Sequence, residues 1–270
     1  MSWAATKNAD EESASSYGGE YYRSLFTKPR AITSRMRTAL VGRENTAKTG
    51  LSCWLARTEE DIAAGKKVIV VDCDKSAMET ISHVVEDPEN FLIYTMDDAA
   101  DDSIFKPDGV TVDYHALVKK VKTFGNIIAE EIQENGDEYA AVIFDGGSTF
   151  MKWCEFAMRE SLMKRGIISD EGDNFNQKEW RERNMLFRDT INRFHTLDID
   201  RVFFTFHMKE LSSYVNGERV KTGEKIDWVD GTQRIVSQQI FLRRFTKKGD
   251  VAAGVEKDTD LGDDDFVIRG

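Results

Sequence analysis

The sequence predicts an α/β domain: a mostly parallel sheet flanked by helices, with antiparallel β-hairpins toward the C-terminal end. Three observations carry that expectation. Two runs, Val68-Ile69-Val70-Val71 and Tyr139-Ala140-Ala141-Val142-Ile143-Phe144, are apolar at every position, as strands buried on both faces require. Segments with apolar residues at helical spacing separate the strand-like runs. Beyond Phe206 the helical period disappears, and short strands joined by turn residues replace it.

Residues 1–30 are polar, rich in Ser, Ala, Glu and Gly, and read as an arm rather than a domain. The first strand, at 38–41, leads into a glycine-bounded loop and a helix expected over 48–64, closed by Gly65. The strand at 68–71 follows, then a strand candidate at 90–95. Asp113 is placed to cap a helix that carries Leu117, Val121, Phe124, Ile128 and Ile132 on one stripe and stops near Gly136. The strand at 139–144 ends on Asp145 and a helix over 149–165 follows it. Past an irregular stretch at 166–176, a helix over 177–197 is expected to bury Trp180, Phe187, Ile191 and Phe194. The strand at 201–206 then ends on His207. Asn216-Gly217 marks a two-residue hairpin turn, and 239–246 is expected to pair with 251–257 across Lys248-Gly249-Asp250. Residues 31–257 thus form the domain, and 258–270 read as an acidic tail.

Composition narrows the function classes. With 270 residues, 40% hydrophobic and 10% aromatic, the chain has material for a sizeable core. No segment reaches the about 20 apolar residues of a membrane span, and the polar start lacks the apolar centre of a signal peptide, so a cytoplasmic location without membrane association is expected. Cys53, Cys73 and Cys154 have no metal-ligand spacing and read as buried free thiols. A net charge of −11 excludes a surface that grips nucleic acid throughout, so any such contact must be local. The acidic run Asp97, Asp98, Asp101 and Asp102 reads as solvated loop.

Chemistry concentrates where strands end, because in an open parallel sheet ligands sit at the carboxyl ends. Gly42-Arg43-Glu44-Asn45-Thr46-Ala47-Lys48-Thr49-Gly50 follows a strand and opens a helix. It has the spacing G-x-x-x-x-A-K-T of a phosphate loop, with Ala47 where a second glycine is usual. Its backbone N–H groups and helix N-terminus suit nucleotide phosphates, Lys48 the β/γ oxygens and Thr49 a Mg²⁺ ion. Asp145, closing an apolar strand, has the form of a Walker B carboxylate that supports the metal; a plain Asp-Gly turn is the alternative. Asp72 and Asp74, after the second strand, read equally as turn caps or as a carboxylate that polarises water. His207 is placed to sense the γ-phosphate, or is simply structural.

These four elements, in this order, resemble the RecA-like P-loop NTPase core, and Phe203-Phe204-Thr205-Phe206-His207-Met208-Lys209 resembles the branch of bacteriophage and archaeal-virus single-strand annealing ATPases. The resemblance implies an ATPase with ATP and Mg²⁺ as ligands. Asp72-Cys73-Asp74 takes the place of the family's D-x-E, so Asp74 becomes the water-activating carboxylate, one methylene short. With Ala47, that shortening predicts slow turnover. The resemblance further implies single-stranded DNA as partner, a homo-oligomer (filament or ring), and DNA-facing segments at 146–176 and 209–231, with a single-strand-binding protein as a further candidate partner. The second segment holds Lys209, Arg219, Lys221 and Lys225 among Tyr214 and Trp228, cations and aromatics suited to a single strand or equally to an ordinary exposed hairpin. Arg243, Arg244 and Lys257 are candidates to reach a neighbouring protomer's nucleotide. Two other functions stay open: a nucleotide-gated DNA-binding scaffold or loader with little hydrolysis, and a phosphate-loop kinase of a small molecule.

Overall fold

The fully apolar runs lie side by side. A computed structural model describes residues 35–169, 178–215, 218–244 and 266–269. Its strands are β1 (Met36–Gly42), β2 (Lys67–Asp72), β3 (Phe91–Thr95), β4 (Tyr139–Asp145), β5 (Arg201–Val215), β6 (Glu218–Ile226), β7 (Gln238–Arg244) and β8 (Phe266–Arg269). The sheet order is β3-β2-β4-β5-β1-β7-β8, with β6 paired to β5 outside that path. Pairing is parallel from β3 across to β7 and antiparallel only for β5–β6 and β7–β8. This is the expected α/β core, and β4, flanked by β2 and β5, is buried at every residue.

The described α-helices are α1 (Lys48–Leu55), α2 (Glu59–Ala63), α3 (Ala77–Val84), α4 (Tyr114–Asn135), α5 (Gly147–Lys164) and α6 (Trp180–His195), and four short 3-10 helices lie between the elements. The two-residue period of the strands divides their side chains between two cores. Ala141 and Ile143 of β4 join Leu40, Val68 and Val70 in a cluster with Cys53 of α1 and Ile81 of α3. Val142 and Phe144 face the other way, toward Leu117 and Ile128 of α4, Phe150 and Cys154 of α5, and Phe187, Ile191 and Phe194 of α6. With helices on both faces, only the strand ends remain for polar chemistry. The three cysteines are free and buried as expected, and no described helix is long and apolar enough to cross a membrane.

Several boundaries differ from the sequence expectation. The helix expected over 48–64 is two helices, because Thr58 and Asp61 form a reciprocal capping box that starts α2 afresh. Strand β5 does not stop at His207: its parallel pairing with β1 ends at Gly42↔His207, and the chain runs on to pair antiparallel with β6 from Met208↔Ile226. Val215 pairs with Glu218, consistent with the expected Asn216-Gly217 turn, whose own residues lie outside the described set. The antiparallel partner of β7 is β8, within the stretch expected to be tail, and the expected partner at 251–257 lies outside the described residues. Phe124 is half-buried and stacks on Tyr94 at 4.5 Å; Trp180 is half-buried, with the Arg183 guanidinium 4.4 Å over its ring. The arm expected at 1–30 lies outside the described residues.

Candidate functional site

Parallel register brings the predicted residues to one edge. Gly42 is level with His207 and Asp72 with Asp145, and β5 lies between β1 and β4. The loop after β1, the turn after β2, the end of β4 and the midpoint of β5 therefore share one locality. Among the described residues, the non-glycine positions with positive φ are Asn45, Ala47 and Lys75, all in this locality. A left-handed L-residue costs on the order of 1–2 kcal/mol, so the chain concentrates its backbone strain around the site.

Ala47, at φ 55° and ψ 28°, immediately precedes α1. Glycine would adopt this conformation without penalty, which explains why a phosphate loop prefers it here. The loop is folded on itself: Thr46 Oγ1 donates to the Arg43 carbonyl at 2.9 Å, and Lys48 Nζ donates to the same oxygen at 2.7 Å. Burial lowers the Lys48 ammonium below its usual range, opposed by the negative charges of Asp145, Asp74 and Glu44. An incoming phosphate would restore the desolvated charge's partner.

Asp145 is buried and receives hydroxyls from two sides. Thr49 Oγ1 lies 3.1 and 3.0 Å from its two carboxylate oxygens, and Thr205 Oγ1 donates to Oδ1 at 2.6 Å. Burial, together with the charges of Asp74 and Asp72, pushes its carboxyl up to about 6. An oxygen-only pair, one hydroxyl and one buried carboxylate in mutual reach, fits a hard cation such as Mg²⁺, which prefers few protein ligands alongside phosphate and water. No described group of three or more His, Cys, Asp or Glu side chains forms a metal cluster, so a cation here would depend on Thr49, Asp145 and the nucleotide itself.

The two aspartates after β2 have different roles. Asp72 accepts from the backbone N–H of Asp74 at 3.0 Å and of Ala77 at 3.3 Å, so it caps the turn into α3. Asp74 instead faces the site, with Thr149 Oγ1 donating to its Oδ1 and His207 Nε2 lying 3.2 Å from its Oδ2. Burial raises the Asp74 carboxyl, but the hydrogen bonds from His207 and Thr149 and the positive charge of Lys48 outweigh it, leaving it below the usual value. Gly146 makes this approach possible: a Cβ there would sit 2.7 Å from the Asp74 carboxyl carbon.

His207 joins the parts. Its Nδ1 lies 3.4 Å from Lys48 Nζ, which can only donate, so Nδ1 accepts and Nε2 carries the proton toward Asp74. Its backbone N–H donates to Ser148 Oγ at 2.9 Å, and Ser148 Oγ donates to the Asp227 carbonyl at 2.7 Å. The residue next to the lysine is therefore also the root of the β5–β6 hairpin.

Two of the hairpin cations are engaged within the molecule. Lys209 pairs with Asp227, and Lys221 reaches Glu210 and Glu224 at 2.7 and 3.1 Å. Arg43 of the phosphate loop pairs with the same two glutamates, a link that sequence spacing did not suggest. Lys225 is exposed and in register with Lys209. Tyr214 and Arg219 are register partners in the ladder. Trp228 is not an exposed stacking platform: it packs edge-on against Phe206 at 5.3 Å. Arg243 and Arg244 end β7, one and two residues past Leu242, the register partner of Gly42. Lys257 lies outside the described residues. Thr205, Thr149, Ser148 and Ser76 are polar residues of this locality that sequence reasoning missed; Thr205, two before His207 on one strand, shares its face, whereas Thr149 lies on α5, past the end of the strand that carries Asp145, and no shared face marks it.

A family model described as an AAA domain matches residues 34–240 of the chain. Comparison with curated proteins finds no match.

Proposed function

The chain belongs to the AAA domain family, a family of nucleotide-binding ATPases, and from that premise we propose that it is a Mg²⁺-dependent, RecA-like ATPase acting on single-stranded DNA in viral recombination or replication. The observation that carries the proposal is the meeting of Lys48, Thr49, Asp74, Asp145 and His207 at the ends of four adjacent strands. In this account the loop from Gly42 to Gly50 cradles the triphosphate. Lys48 leaves the Arg43 carbonyl for the β/γ oxygens, and Thr49 and Asp145 hold the cation. When bound, Mg²⁺ neutralises charge on the β- and γ-oxygens. Asp74 orients the attacking water and accepts its proton. His207, bonded to both Asp74 and Lys48, registers the γ-phosphate and passes the change to the hairpin through Ser148 and Asp227.

The DNA-facing role falls to the hairpin, with Lys209, Tyr214, Arg219, Lys221 and Lys225 as its contacts. What supports it is placement: the hairpin grows out of the strand that carries His207, and Arg43 ties it to the phosphate loop. Arg243, Arg244 and Lys257 are proposed to complete a neighbouring protomer's site in a filament or ring. A second function, a nucleotide-gated DNA scaffold with little hydrolysis, is favoured by the left-handed Ala47 and by an Asp74 whose two oxygens are already engaged.

ATP hydrolysis measured with and without single-stranded DNA, alongside Lys48→Ala, separates these. DNA-stimulated turnover that the variant lacks supports the ATPase; nucleotide-dependent DNA binding without turnover supports the scaffold. Transfer of labelled phosphate to a small acceptor would replace both with a kinase.

A further inference from the structure

Two threonines outside the motifs each reach one of the two site carboxylates. Thr205 is 1% exposed. It accepts from the Gly146 N–H at 2.8 Å and donates to Asp145 Oδ1 at 2.6 Å. With the lone pair directed at Gly146 used as acceptor, its one proton is committed to the carboxylate. Thr149, in the first turn of α5, donates to Asp74 Oδ1, while His207 holds Oδ2 from the opposite side. Both hydroxyls depend on the same short segment: Gly146 supplies the N–H that orients Thr205, lacks the Cβ that would exclude Asp74, and precedes the turn that delivers Thr149.

We propose that Thr205 and Thr149 are positioning residues, one for each carboxylate: Thr205 sets the orientation of Asp145 toward the cation, and Thr149 sets that of Asp74 toward water. The proposal rests on the nucleotide-binding function argued above. An aspartate has two rotatable bonds, and loss of either hydroxyl leaves its carboxylate held by fewer partners: Asp145 by Thr49 and Ser76, Asp74 by His207. Partners that orient a metal ligand are worth about 10–100-fold in affinity or activity, and a misplacement of about 1 Å costs a comparable factor in rate. Because the threonines serve different carboxylates, their loss should separate into two signatures.

Binding of a fluorescent ATP analogue is measured against Mg²⁺ concentration and in EDTA, together with steady-state hydrolysis. Thr205→Val is expected to raise the Mg²⁺ concentration for half-maximal binding about tenfold while binding in EDTA stays as in wild type. Thr149→Val is expected to keep the Mg²⁺ midpoint and KM and to lose about tenfold or more in kcat. Serine at either position restores the wild-type value. Should Thr205→Val fail to fold, because the Gly146 N–H loses its acceptor, Thr205→Cys carries the same test, since its thiol still accepts from that N–H but is only a weak donor to the carboxylate. A wild type that binds the analogue, with both variants indistinguishable from it, overturns the positioning roles alone. A wild type that binds no analogue overturns the nucleotide site and these roles with it.

Discussion

Replacing Ala47 by glycine should stabilise the protein, and the size of the gain follows from one backbone angle pair. At φ 55° and ψ 28° the alanine Cβ crowds its own following carbonyl, a cost of about 1–2 kcal/mol for an L-residue. Glycine removes that cost but adds freedom to the unfolded chain, which subtracts about 0.4–1 kcal/mol. The net is roughly 0.5–1 kcal/mol, or a rise in melting temperature of about 1–4 °C for a domain of this size. The assay is urea unfolding of the nucleotide-free protein, where the midpoint should move up with no change in slope. Asn45→Gly is the internal comparison: asparagine tolerates the left-handed region better than alanine, so its gain should be smaller. An Ala47→Gly midpoint at or below wild type would refute the assignment of strain to this position.

Asp145→Asn should stabilise the metal-free protein at neutral pH. Burial raises the Asp145 carboxyl to about 6, above an unfolded value of about 3.9, so the native state holds the proton more tightly and stability falls as pH rises from about 4 to 6. In EDTA the stability difference in favour of Asn should grow across that window by on the order of 3 kcal/mol and level off above it; parallel pH profiles would contradict the burial argument. Gly146→Ala should abolish turnover and destabilise the fold by about 1–3 kcal/mol, since its φ of +89° resists a side chain and the new Cβ meets Asp74; a variant with wild-type kcat would show that Asp74 need not occupy its observed place. Arg43→Ala, which breaks an exposed pair with Glu224 and Glu210, should change stability by less than about 1 kcal/mol, measured by the same urea midpoint.

Much of this architecture was legible in the sequence, for a physical reason: strands buried on both faces need an apolar residue at every position, and few other structures do. That is why 68–71 and 139–144 stand out, and why the acid ending the second is conspicuous. That Lys48, Thr49, Asp74, Asp145 and His207 meet is legible because the carboxyl ends of parallel strands share an edge. What escaped notice depends on partners distant in sequence. His207 resembles a strand terminus, yet β5 runs on past it to pair with β6 from Met208. Thr58-Glu59-Glu60-Asp61 fits a helical stripe as well as it fits a new cap, and only the side-chain bonds decide. The neutralisation of Lys209 and Lys221 is a matter of cross-strand neighbours and of a tertiary contact with Arg43. Thr205 and Thr149 are unremarkable as letters, since threonine is common in strands and in first helical turns.

The proposed function requires a single Mg²⁺·ATP site assembled from the ends of β1, β2, β4 and β5. A crystal structure with Mg²⁺ and a non-hydrolysable ATP analogue tests it most directly. The triphosphate is expected along residues 42–50, with Lys48 Nζ moved from the Arg43 carbonyl onto phosphate, the cation between Thr49 and Asp145, and Asp74 and His207 toward the γ-phosphate. Nucleotide seated elsewhere, or a cation away from Asp145 with Lys48 still on the Arg43 carbonyl, would contradict it.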